Sequence, residues 1–138
     1  MKLISKYVII NATNTLVALE RKDYVKYLGV LIDSHFSWRP HITFVASKVS
    51  KTLGILSRLR HFIPANTLMN IYRSLILPYL SYGIVVWGQA AQSNLDKLLI
   101  LQQRALRLIQ FAPYRSHAIP LFSRYNVLPI DMLYFKFV

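Results

Sequence analysis

The 138-residue chain contains no cysteine, which excludes disulfides and thiolate metal sites and is compatible with a reducing compartment. Acidic residues are nearly as scarce. Glu20, Asp23, Asp33, Asp96 and Asp131 are its only carboxylate side chains, and no two of them are adjacent. The four glycines do not fall into a phosphate-binding loop or a nucleophile elbow. His35, His41, His61 and His117 lack the close spacing of a helical metal motif and read as ordinary surface or capping residues. A membrane-spanning run is also missing. The longest uncharged stretch, Ser74 to Leu95, is broken by Pro78, Gly83 and a polar end, whereas a span needs about 20 predominantly apolar residues. Met1 to Ile10 carries too short an apolar run for a signal peptide.

What the chain has is apolar bulk and positive charge. A hydrophobic fraction of 54% argues against disorder. Seventeen basic against five acidic residues leave a formal charge of +12, with no basic tail to hold it. The excess therefore sits on the folded surface and favours a polyanionic partner, nucleic acid before anionic membrane.

Tyr7 to Ile10 and Leu16 to Leu19 read as short strands around polar turn residues, a hairpin that joins a third strand. That third strand lies at Tyr27 to Ile32, where Leu28 and Leu31 are apolar as well as Tyr27, Val30 and Ile32, so it is expected to be covered on both sides. Asp33 and Ser34 end it. From Ile42 the period changes: Ile42, Val45, Ala46, Val49, Leu53 and Leu56 return to one side of a helix over Ile42 to Leu59, with Pro40 in its first turn. Lys48, Lys51 and Arg58 share the other side. A second helix begins near Ala65, and Pro78 should kink or end it. Tyr79 to Trp87 is almost wholly apolar and should be internal, as a helix or as a strand through Ile84 to Val86. The third helix, Leu95 to Ile109, is expected to start with Ser93 and Asp96 at capping-box spacing. Its basic side carries Lys97, Arg104 and Arg107. After Pro113, Ala118 to Tyr125 reads as a short helix interrupted near Pro120, and Ile130 to Val138 as the first turns of another. The crowded apolar residues at the end suggest truncation or docking against further sequence.

The run KYLGVLIDSHFSWRPHITFVASKVSKTLGILSRLR, the string LPYLSYGIVVWG and the later LQQRALRLI together resemble the reverse transcriptase of non-LTR retrotransposons, of the LINE or jockey-like kind, in the region after the catalytic aspartates. The resemblance implies an α+β, mainly α fold: a short N-terminal β-hairpin or small sheet followed by a thumb-like bundle of three to four helices. Residues 1–33 would be a primer-grip-like fragment of the palm, 38–112 the thumb-like region and 113–138 a downstream helical segment. Tyr27, Leu28 and Gly29 match the primer grip. Gly29 is read from sequence alone simply as a close backbone approach.

Nucleotide polymerisation needs carboxylates fixed around two divalent ions, and none of the five acids here forms such a pair. The resemblance implies that magnesium or manganese would be held only in a complete polymerase, by a palm that, with the fingers, precedes this region. The isolated chain is expected to be non-catalytic and to bind an RNA-DNA or DNA duplex. Lys48, Lys51, Arg58, Lys97, Arg104 and Arg107 are the candidates for phosphate contacts, which fit better than base reading. Trp38 and Tyr114 are candidates for stacking on a base, although Trp38 reads first as a packing residue between sheet and helix. An intracellular location, cytoplasmic or nuclear, would follow. The alternatives are a domesticated or decayed remnant acting as a structural or protein-interaction module, and a peripheral membrane-binding module.

Overall fold

The computed structural model describes residues 21–138 and Thr13, together with the backbone of Tyr7–Ile10 and Leu16–Leu19. The two apolar runs at the start form strands β1 (Tyr7–Ile10) and β2 (Leu16–Leu19), antiparallel, with Tyr7 opposite Leu19. Among the described residues they pair only with each other. A second hairpin, β3 (Tyr24–Tyr27) with β4 (Val30–Asp33), forms a separate two-stranded sheet, so the expected single sheet is replaced by two ribbons.

The strand expected across Tyr27 to Ile32 is instead the reversal of that second hairpin. Leu28 and Gly29 sit at the turn with φ of 46° and 83°, as a two-residue loop of type I′ requires. Only glycine adopts such a conformation without cost, and the second turn position supplies it. Burial on both sides fails as well. All four residues of β3 are exposed, Tyr27 at 65%, as is Leu28 in the turn at 74%, while Val30 alone in β4 is buried. Apolar composition was a poor guide here because a two-residue turn, not a continuous strand, occupies the middle of the run.

Helix α1 (Arg39–Leu59) follows a turn held chiefly by the Asp33 side chain. The Asp33 carboxylate accepts from the Ser37 N–H at 3.2 Å and from the Trp38 N–H at 3.0 Å. Burial works against ionisation of Asp33, but these hydrogen bonds outweigh it and hold the carboxyl below its usual range. Pro40 lies in the first turn, and Ile42, Val45, Val49, Leu53 and Leu56 are buried as their 3.6-residue period dictates.

Helix α2 (Ala65–Ile71) runs into a π-helical turn, Tyr72–Ile76, and then into α3 (Leu77–Ser81). Pro78 leaves the preceding turn short of a donor, and the backbone responds by widening, with the Leu77 N–H reaching back to the Tyr72 carbonyl. Residues Ile84–Trp87 form α4, settling the helix-or-strand ambiguity in favour of helix. The expected burial of this stretch holds for Leu80, Ile84 and Trp87 only. Tyr79, Tyr82, Val85 and Val86 are exposed, because a single helical turn can turn only one side to the core.

Helix α5 (Gln92–Gln110) begins earlier than expected, with Ala91 at its N-cap. Ser93 is inside the helix, and Asp96 accepts from Gln92 Nε2 at 2.9 Å instead of completing a capping box. Helix α6 (Ile119–Arg124) takes Pro120 in its first turn, where a proline needs no donor, so no interruption arises. Helix α7 (Ile130–Phe137) closes the chain.

Two ring contacts define how the long helices lie. His41, at the start of α1, packs 5.3 Å from Trp87, just before α5, and Arg60, just past α1, places its guanidinium 4.9 Å over Phe111, just past α5. The helices are therefore parallel. They pack against each other more extensively than any other pair, burying Val49, Leu53 and Leu56 against a core shared with Leu98, Leu106 and Ile109. Arg60 is itself half-buried, with its guanidinium against the Phe111 ring.

His41 is neither a surface nor a capping residue. It is buried, its Nδ1 accepts the Leu31 N–H of β4 at 3.3 Å, and its Nε2 has no hydrogen-bond partner among the described residues. Burial pushes its pKa below the usual histidine range. The imidazole is therefore neutral in the fold and takes up a proton on unfolding once the pH drops below about 6.5. Stability is expected to be level between pH 7 and 8 and to fall below about pH 6.5 as the unfolded state gains protons. Denaturation midpoints across that range, with His41→Gln flattening the dependence, check this.

Candidate nucleic-acid interface

The six basic candidates divide by what they touch. Lys51 and Arg58 on α1 and Lys97 and Arg104 on α5 are exposed, on sides of the two parallel helices that do not enter the core. Lys48 is half-buried, with its ammonium 5.4 Å from the centre of the Phe44 ring. Its stem is packed and its charge stays at the surface. Arg107 is also half-buried, and its Nε donates to the Ser116 carbonyl at 2.8 Å. That bond fastens the turn that carries Tyr114, itself 76% exposed. Trp38 is half-buried at the N-terminus of α1, edge-on to Phe36 with ring centres 6.1 Å apart. Packing therefore engages Trp38 directly, while Tyr114 presents its ring to solvent.

The primer-grip-like residues sit on a joint between the second hairpin and the helices. Tyr82 Oη donates to the Leu28 carbonyl at 2.6 Å, and its ring lies where a Cβ on Gly29 would come within 3.3 Å. The close approach expected at Gly29 is thus real, and its neighbour is Tyr82. Gly83, at φ 65°, turns the chain from α3 into α4 beneath Val30. Trp87, completely buried, donates Nε1 to the Tyr82 carbonyl at 2.9 Å. A Cβ on Gly88 would meet the Ile84 carbonyl oxygen at 2.5 Å and the Tyr134 ring at 2.7 Å, so α7 is seated on this point too. The string LPYLSYGIVVWG therefore serves to lock a two-residue turn, the start of α1 and the last helix onto one another.

Sequence reasoning missed the buried amide of Gln102. Its Nε2 donates to Tyr72 Oη at 2.9 Å and to the Leu128 carbonyl at 2.8 Å, and its Oε1 accepts the Ile130 N–H at 2.9 Å. Burial pushes the Tyr72 hydroxyl up to about 12, although the Gln102 bond works the other way. Position 102 falls on the apolar side of α5 between Leu98 and Leu106, and a lone amide there was the available signal. Among the described residues no group of three His, Cys, Asp or Glu is placed to hold a metal ion. No helix among them is long and apolar enough to cross a membrane.

By sequence the chain is related to the RNA-directed DNA polymerases of non-LTR retrotransposons. Three such relatives are from Drosophila melanogaster. The chain is 37% identical over 92 residues to the RNA-directed DNA polymerase from mobile element jockey, covering 64% of this chain and 10% of that protein. It is 29% identical over 118 residues to the probable RNA-directed DNA polymerase from transposon BS, covering 83% of this chain and 13% of the relative. With the probable RNA-directed DNA polymerase from transposon X-element it shares 30% identity over 97 residues, 67% of this chain and 11% of the relative. The matched region thus spans only about a tenth of the length of these curated relatives. No protein-family profile and no solved structure matches the chain.

Proposed function

We propose that this chain is a non-catalytic portion of an RNA-directed DNA polymerase that positions primer-template nucleic acid. Residues 38–112 act as the thumb, the β3–β4 turn at Tyr27, Leu28 and Gly29 acts as the primer-grip element, and residues 113–138 extend the helical region. The duplex, RNA-DNA or DNA, is held by its phosphates through Lys48, Lys51 and Arg58 on α1 and Lys97, Arg104 and Arg107 on α5. Chemistry, with its divalent magnesium or manganese, belongs to a palm and fingers that precede this region.

One observation carries the reading: in a chain related to these polymerases, the two longest helices share a core and leave basic side chains on their outer sides. Such charges attract phosphates without reading sequence, as a hand that slides along a template must. Reversing Lys48, Lys51 and Arg58 together to glutamate is expected to weaken duplex binding strongly and to flatten its dependence on salt, with helix content and sequence preference nearly unchanged. Fluorescence anisotropy with circular dichroism as the folding control checks this. Unchanged affinity in a folded triple variant would reject the α1 face and favour a protein-interaction module, for which the exposed Tyr82, Val85, Val86, Phe135 and Phe137 would be the contact residues.

A further inference from the structure

Between α2 and the end of α6 the surface forms an open concavity of about 440 Å³. Asn66, Asn70 and Arg73 line one side, four and then three residues apart, so they lie along one face of the helical run. Arg124 and Asn126 line the other, over the buried Met69. Two features set this hollow apart from an ordinary solvated surface. The first is fixation: Arg73 Nη2 donates to the Tyr125 carbonyl at 3.4 Å, tying residues 52 apart in sequence, and Asn126 holds a left-handed φ of 52° in a turn closed by the Val127 N–H on the Phe122 carbonyl at 2.9 Å. The second is chemistry. The lining offers two guanidinium groups and three carboxamides and no carboxylate, so its positive charge has no internal counter-charge and its donors outnumber its acceptors.

From this we infer a phosphate-binding site, with Arg73 and Arg124 supplying charge and paired N–H donors and Asn66, Asn70 and Asn126 supplying neutral ones. Arginine pairs suit a phosphate because the flat fork meets two of its oxygens at once. The volume exceeds that of one phosphate and falls within the range of small-ligand pockets, leaving room for the sugar beside it. None of the six basic residues assigned to α1 and α5 lines the hollow, so the inference stands apart from the duplex-positioning reading.

Nuclear magnetic resonance of the 138-residue chain, following arginine Nε–H signals, tests it. Inorganic phosphate, a short single-stranded oligonucleotide and chloride at matched ionic strength are added in separate titrations. Saturable shifts are expected at Arg73 and Arg124 and not with chloride. Saturation by the oligonucleotide alone assigns the backbone of a nucleic-acid strand as the ligand, and saturation by inorganic phosphate as well assigns a phosphate taken free. Arg124→Gln, which spares the Arg73 bond to Tyr125, is expected to weaken the saturating titration about tenfold or more, the scale of a hydrogen bond to a charged group. An absence of saturable shifts with both phosphate sources, or unaltered affinity in a folded Arg124→Gln chain, overturns the site. Loss of duplex binding on reversing Lys48, Lys51 and Arg58 leaves these signals unaffected, which separates the two proposals.

Discussion

Replacing Trp87 with alanine is expected to lower stability by about 3 to 5 kcal/mol, the range for removing a large aromatic side chain from a packed interior. The indole is completely buried, lies 5.3 Å from the His41 ring and donates to the Tyr82 carbonyl. Its loss leaves a cavity where α1, α4 and the second hairpin meet and frees the carbonyl that helps set the Tyr82–Gly83 corner. Chemical denaturation of the variant gives the magnitude. Amide exchange gives the location, because Leu31, bonded to His41, should open faster than the middle of α5. A loss below about 1 kcal/mol would show that this joint does not carry the fold, since truncating a large buried side chain to alanine ordinarily costs about 2 kcal/mol or more.

Gln102→Leu is expected to be the second costly change, by about 2 to 4 kcal/mol, although the substitution keeps side-chain volume and adds apolar surface. Three groups lose their partner at once: Tyr72 Oη, the Leu128 carbonyl and the Ile130 N–H. Each buried polar group left unpaired costs about 1 to 3 kcal/mol, and the segment before α7 is near enough to the surface for part of this to be recovered by water. Denaturation reads the sum, and faster exchange at Ile130 identifies its source. A neutral or stabilising outcome would mean that the three bonds contribute no more than an apolar contact of equal size.

The helices were legible because α1 and α5 must each bury one side, and a 3.6-residue period in Val45, Val49, Leu53 and Leu56 or in Leu95, Leu98, Ala105 and Leu106 has few other solutions. The strands β1 and β2 were legible as short apolar runs on either side of polar turn residues. What composition hid was conformation set by single residues. Leu28 and Gly29 look like strand interior until the positive φ of both is known, and Pro78 announces a break without saying that a π-helical turn will absorb it. The basic residues of α1 and α5 were visible by position on a helix. The concavity at Arg73 and Arg124 was not, because its walls are brought together only when α6 folds back beside α2. His41 and Gln102 were missed because polar residues on an apolar face signal a partner without naming it, and their partners lie 10 to 30 residues away.

The most direct test of the proposed role is the salt dependence of duplex binding by the unaltered chain. A duplex is titrated with protein by fluorescence anisotropy from low to physiological salt, and the logarithm of the binding constant is plotted against that of the salt concentration. Engagement of about six phosphates by Lys48, Lys51, Arg58, Lys97, Arg104 and Arg107 predicts a line of slope about −5, from about −0.9 for each phosphate neutralised. A slope near zero, or no binding at low salt by a folded chain, would contradict the assignment of these two helices to nucleic acid.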